Sequence, residues 1–204
     1  MKDIIYKSMK WSISIAVITF VLAAIFSIVS TGILHGVSWT LGLVVVLFIA
    51  LIGIVFDMIG IAATAADEVP FHSMAARKVY GAKYSIRIVR NADRFASFCN
   101  DVIGDISGII SGTATALVVI QLVQSFEMAN NSPLEYGVNV VFTSLIAAIT
   151  VGGKAIGKSF AITYSKDIIF HVGKVLQFLE EKIHISILKD TKRKKMKQKP
   201  KKRK

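Results

Sequence analysis

The sequence has one cysteine, Cys99, and only three prolines. A single thiol excludes an intrachain disulfide framework. It also leaves no second Cys for a zinc spacing, and His35, His72, His171 and His184 form no H-x-x-x-H or H-E-x-x-H pair. There is no G-x-S-x-G, no Walker loop and no nucleophile with an aligned base, so an enzyme is not expected. The adjacent acids Asp67 and Glu68 would face two directions on a helix and make no catalytic pair. Charge is the most telling scarcity. Residues 11–56 contain no Asp, Glu, Lys or Arg, and neither do 106–126 or 136–153.

What the chain does have is apolar bulk and a basic end. Its 204 residues are 53% hydrophobic, yet the net charge is +12. Eleven of the 25 Lys and Arg stand in residues 189–204 beside one acid, so the body is nearly neutral and the tail is a polycation. A soluble enzyme does not fit this pattern. A bilayer core takes about 20 helical residues, so the 11–56 run is long enough for two spans, broken near Ser30-Thr31-Gly32 and His35-Gly36. The expected spans are roughly 11–33, 38–64, 106–126 and 136–153, with a turn at Asn130-Asn131-Ser132-Pro133 between the last two. Four buried helices of a soluble core would keep polar faces, which these runs lack. The first run is also longer than the 7–15 apolar residues of a signal peptide. The expected class is all-α: a polytopic membrane protein with four transmembrane helices and cytoplasmic juxtamembrane helices.

Basic residues set the expected orientation. In the four-span plan all 25 Lys and Arg fall on one side: before span one, between spans two and three (Arg77 to Arg94), and after Gly153. The outer link holds Glu127 and Glu135 and no base. The positive-inside rule then places both termini in the cytoplasm, at the cell membrane.

Small residues mark the expected packing. Gly104, Gly108 and Gly112 recur every four residues in span three, with Ser107, Ser111 and Thr115 on a neighbouring face. Gly153 and Gly157 repeat the spacing in span four. Such stripes let helices approach closely, either within one chain or as a homodimer seam; the sequence leaves both open. Acids in or beside the spans mark the expected site. Asp57 interrupts span two, Asp101 and Asp105 share a face one turn apart, and Lys154 and Lys158 do the same in span four. A charge in hydrocarbon needs a partner or water. Asp57, Asp101 and Asp105 with Asn100, Thr64 and Ser107 offer oxygens suited to a hard cation such as Mg²⁺. Equally, Lys154 can take the cation's place and pair with the acids, or the groups can sit solvated at the interface.

Several motifs together resemble the CNNM/CorC transmembrane domain. Asn91-Ala92-Asp93-Arg94-Phe95 resembles the N-P-D-R-L that opens that family's second helix, and Asn100-Asp101-Val102-Ile103-Gly104-Asp105-Ile106 looks like its G-N-x-x-x-N-I. The run from Gly153 to Ala161 is similar to its G-E-x-x-P-K-x-L-A, and Ala62 to Glu68 to the small-residue run that closes its first helix. The resemblance covers residues 40–185. It implies three core spans, a basic helical link at 70–95, a homodimer, and Mg²⁺ transport or efflux with the ion held by small polar residues and Asn. It also departs from the family. Asp101 and Asp105 stand where the family has Asn, Lys154 where it has Glu, Gly157 where it has Pro, and no CBS pair follows. The organisation read from the sequence is an extra N-terminal span (1–37), a CNNM/CorC-like domain with juxtamembrane helices (38–188) and a disordered basic tail (189–204).

Two functions follow as expectations. The leading one is divalent-cation transport or homeostasis. The alternative is a non-transporting membrane scaffold or regulatory subunit in which a Lys–Asp pair replaces the ion. Residues 168–188 have the spacing of an amphipathic helix, lying on the membrane surface or packed on the 70–95 link. The tail, including Lys192, Arg193, Lys194 and Lys195, suits anionic lipid at about 1 kcal/mol per base. It has no interleaved aromatics, which argues against nucleic acid.

Overall fold

The computed structural model describes residues 2–125 and 133–183. The outer link at 126–132, with Glu127 and the Asn130-Asn131-Ser132 turn, and the tail with Lys192, Arg193, Lys194 and Lys195 lie outside the described residues. Among the described residues the elements are all helical: α1 (Lys2–His35), α2 (Trp39–Ala65), α3 (Val69–Ala76), α4 (Ala82–Arg90), α5 (Ala92–Ser97), a π-helical segment (Phe98–Gly104), α6 (Asp105–Ser125), α7 (Pro133–Thr163) and α8 (Ser165–Ile183). Four stretches are long and apolar enough to cross a bilayer: Ser12–Leu34, Trp39–Ala65, Ala92–Ser125 and Tyr136–Thr163. The protein is an all-α membrane protein.

The surface of the bundle is apolar where a soluble protein's would be polar. Phe20 is 76% exposed, Ile109 68% and Val141 64%, whereas Ser107, Ser111 and Thr115 are buried. This inverted arrangement suits lipid, which solvates Leu and Phe as well as a protein core does. The first two spans match those expected from the uncharged runs and the other two are longer; the fourth runs past 153, through Lys154 and Lys158, to Thr163. The third is not confined to 106–126, because helix begins at Ala92 and continues through Asp93, Arg94, Asp101 and Asp105. Those charges sit at its inner end, where a helix extends past hydrocarbon at no cost.

Helix α2 is central, touching α5, α6, α7, α8 and the π-helical segment. Its contact stripe is small: Gly42, Val46, Ala50, Gly53 and Gly60 are all buried. A Cβ at Gly53 would stand 2.9 Å from Ser107 Cβ and 3.3 Å from the Gly104 carbonyl oxygen. One at Gly42 would stand 2.8 Å from Val118 Cγ2. The glycines therefore set how near α2 and α6 lie. On α7, a Cβ at Gly153 would meet Ile54 Cδ1 at 2.5 Å, and one at Gly157 would lie 3.7–3.9 Å from Ile54 and Met58. The packing expected of these two glycines is thus present within one chain. Gly108 and Gly112 behave otherwise: a Cβ on either meets nothing within 4 Å. Within the chain Gly104 packs with the Ser107, Ser111 and Thr115 face, which is the buried one.

Helix α1 joins the bundle along α6. Ile15, Leu22 and Ala23 pack against Val102, Ile106 and Ile110. At its outer end the Leu34 carbonyl, one of the last four that a helix leaves without a partner, accepts a 2.8 Å hydrogen bond from Gln121 Nε2.

The inner ends form a juxtamembrane module. The Asp67 carboxylate accepts the Val69 N–H at 3.2 Å, and Pro70 sits in the first turn of α3. Gly81 opens α4 with φ +87°. Its N–H donates to Gln177 Oε1 at 2.6 Å, and a Cβ there would stand 2.8 Å from the Lys174 backbone nitrogen. Across the contact, a Cβ on Gly173 would strike the Ser85 hydroxyl. The Ser85 hydroxyl in turn donates to the Ile169 carbonyl at 3.1 Å. Helix α8 is therefore packed on α4, with Ile169 in one core with Phe71, Ile86 and Ile88.

Candidate functional site

Depth along the helices brings three charges to one level. A helix rises 1.5 Å per residue, so Asp57 lies about 27 Å from the Trp39 end of α2, and Lys154 about 27 Å from Tyr136 on α7. Asp105 lies about 30 Å from Ser125 on α6. The hydrocarbon core is about 30 Å thick. All three therefore lie towards the same end of the bundle, about one hydrocarbon thickness from the other, which accounts for an acid after so long an apolar run.

Gly104 is the meeting point. A Cβ placed on it would stand 3.7 Å from Lys154 Nζ and 3.8 Å from Asp57 Oδ1. Lys154 Nζ lies 3.9 Å from Asp105 Oδ1. Lys154 and Asp57 thus both reach the Gly104 backbone, and the ammonium pairs with Asp105. The lysine side chain is 26% exposed and the Asp105 side chain 66%. The pair is half-open, so its worth is that of an interfacial ion pair, about 0–1 kcal/mol, and not that of a fully buried one.

The other expected ligands are dispersed. Asn100 lies in the π-helical segment with its amide against Gly60 of α2. Its Oδ1 is buried and accepts no hydrogen bond. Asp101 is exposed. Thr64 is exposed, and its hydroxyl donates to the Ile61 carbonyl at 2.8 Å. Ser107 is buried on Gly53. The structure thus brings together Asp57, Asp105 and Lys154, and does not gather Asp101, Thr64 or Ser107 around them. Among the described residues no three of His, Cys, Asp and Glu lie close enough to hold a metal ion.

A second polar group links α3 to α4. Arg90 Nε donates to Glu68 Oε1 at 2.6 Å, and His72 Nε2 lies 2.7 Å from the same oxygen. Desolvation pushes the Glu68 carboxyl up, but the His72 and Arg90 contacts together outweigh it and hold the carboxyl below its ordinary range. Between α4 and α8, Tyr80 donates to Glu181 Oε2 at 3.0 Å. Burial, and then the hydrogen bond with Glu180, raise the Tyr84 phenol. These contacts join α3 to α4 and the start of α4 to α8.

Sequence reasoning named Asp57, Asp105 and Lys154 but passed over the glycines of α2, Gly81, Gly173 and Gln121. Gly53 and Gly60 stand seven apart in an uncharged run, a spacing that was readable. Gly81 and Gly173 lie in separate elements, and nothing local connects them. Comparison with protein-family models, curated proteins and solved structures finds no match for the chain. Fold and site define its class as a polytopic helical membrane protein with a charged cluster at one end of the bundle.

Proposed function

We propose that this chain is a non-transporting membrane scaffold or regulatory subunit on a CNNM/CorC-like helix plan, with the Lys154 ammonium as a built-in cation. The observation that carries this reading is the position of Lys154 Nζ, 3.9 Å from Asp105 Oδ1 and at the same glycine, Gly104, that Asp57 approaches. An ammonium beside carboxylates supplies their counter-charge and competes with a bound metal ion. In this reading both termini are cytoplasmic, the protein sits in the cell membrane, and Lys192 to Lys195 hold the tail to anionic lipid. Gly108 and Gly112, open within the chain, are the stripe available for a homodimer.

A second reading, divalent-cation handling, is favoured by one observation. Asn100 Oδ1 is buried without a hydrogen-bond donor, in a π-helical segment, a feature frequent at functional sites. Melting of the detergent-solubilised protein separates the two. Millimolar Mg²⁺ should leave the wild-type midpoint unchanged; a rise that Asn100→Ala abolishes would favour cation handling.

Topology is tested by cysteine labelling in intact cells, where buried Cys99 gives little background. Ser132→Cys should react with an impermeant reagent and Ser73→Cys should not. Ser85 is a poor reporter because it is wholly buried, whereas Ser73 is exposed. Labelling at Ser73→Cys from outside would overturn the orientation.

A further inference from the structure

Helix α8 has two apolar faces, and only one is used within the chain. Ile169 is buried, and Ile168, Val172 and Leu176 pack beside it against α3 and α4. Away from Ile169, Phe178 is 50% exposed, and Val175, at the edge of that side, is 56% exposed. With His171 and Lys182 they share one stripe at i, i+4, i+7 and i+11. The stripe does not begin at α8. Ile156, Phe160 and Ile162 are exposed along the inner end of α7. Phe160 stacks on Tyr164 with ring centroids 6.0 Å apart, and Tyr164 is the single residue between α7 and α8. The lipid-facing surface of α7 therefore continues through Tyr164 towards Val175 and Phe178.

The charged side chains beside this face are folded onto rings. Lys174 Nζ lies 4.3 Å from the Phe170 centroid and Lys182 Nζ 5.0 Å from that of Phe178. Stems along apolar surface with ammoniums at its rim are how lysines sit at a membrane interface. Aromatic rings at such a junction favour the headgroup layer. Asp167 shares the stripe, so the face is not strongly cationic. Attraction to it rests on apolar area rather than on charge.

We infer that the Tyr164–Val175–Phe178 face of α8 docks into the headgroup layer of the same bilayer, as an interfacial segment independent of the basic tail. The inference rests on the membrane reading and holds whichever role Lys154 has. Because the contact is apolar, it persists in neutral phosphatidylcholine and resists salt, unlike the attraction of the tail. The module is then clamped between the core on one side and lipid on the other.

The test uses the Cys99→Ser protein in phosphatidylcholine nanodiscs, with an environment-sensitive fluorophore on a single introduced cysteine. Val175→Cys and Phe178→Cys should be quenched by lipids brominated near the headgroup, to an extent like that at Ile156→Cys. Lys83→Cys, on the exposed start of α4, should not be quenched. Removing residues 189–204 or adding high salt should change nothing. Quenching at Ile156→Cys without quenching at Val175→Cys and Phe178→Cys would overturn the inference. So would a blue shift at Val175→Cys without quenching, which means a second protein chain covers the face. Quenching that disappears with the tail would equally overturn it. None of these outcomes bears on Mg²⁺, so failure here and failure of the Lys154 reading are distinguishable.

Discussion

Gly53→Val should be the most damaging single substitution in the bundle, costing about 2–3 kcal/mol by overpacking. Its first added carbon arrives 2.9 Å from Ser107 Cβ and 3.3 Å from the Gly104 carbonyl oxygen. Neither can turn aside as the tip of a long side chain can. Helices α2 and α6 must separate, and in lipid their association depends on close van der Waals contact with no hydrophobic drive to replace it. Gly60→Ala should follow closely, since its methyl would overlap the Asn100 amide. Gly108→Ala and Gly112→Ala provide the contrast: each Cβ enters open space within the chain, so their effect should stay within about 0.5 kcal/mol. Thermal unfolding in detergent reads all four. At this chain length 1 kcal/mol is about 2–4 °C. Equal losses at Gly53 and Gly108 would contradict the assignment of the packed face.

Lys154→Glu should be the most damaging charge change. It replaces the cation paired with Asp105, near Asp57, with a third carboxylate. Like charges 4 Å apart at an effective dielectric near 20 repel by about 4 kcal/mol as an upper bound. Asp105 is two-thirds exposed, and solvent screening brings the expected cost to about 2 kcal/mol. Lys154→Met, which only removes the pair, should cost about 0–1 kcal/mol for the same reason. Mg²⁺ should not restore the Glu variant. Asn100 faces Gly60, Thr64 is bonded to the Ile61 carbonyl and Asp101 is exposed, so the oxygens needed to complete a coordination shell are not assembled. Full rescue by millimolar Mg²⁺ would support the cation-handling reading.

Much of this architecture is legible in the sequence because lipid imposes a simple rule. A span must be apolar all round, so the charge-free runs locate all four spans and mark the first two almost to their ends. The third and fourth are longer than their charge-free runs, because helix continues past the charges to Ala92 and to Thr163. Asp57, Asp105 and Lys154 were readable as charges needing partners, and their meeting follows from equal distance to the outer ends of their helices. The dispersal of Asn100, Asp101, Thr64 and Ser107 was not readable. The π-helical segment at Phe98–Gly104 shifts the register between Asn100 and α6, and no residue pattern announces such a turn. The α4–α8 contact at Gly81 and Gly173 depends on two elements about ninety positions apart, which one sequence does not link.

The most direct test of the central claim is the anomalous scattering of the protein crystallised in lipid with millimolar Mn²⁺, a stand-in for Mg²⁺ of similar ligand preference. The account predicts Lys154 Nζ beside Asp105 at Gly104, with no manganese peak within bonding reach of Asp105 or Asp57. A manganese peak between Asp57 and Asp105, with the lysine swung away, would contradict it.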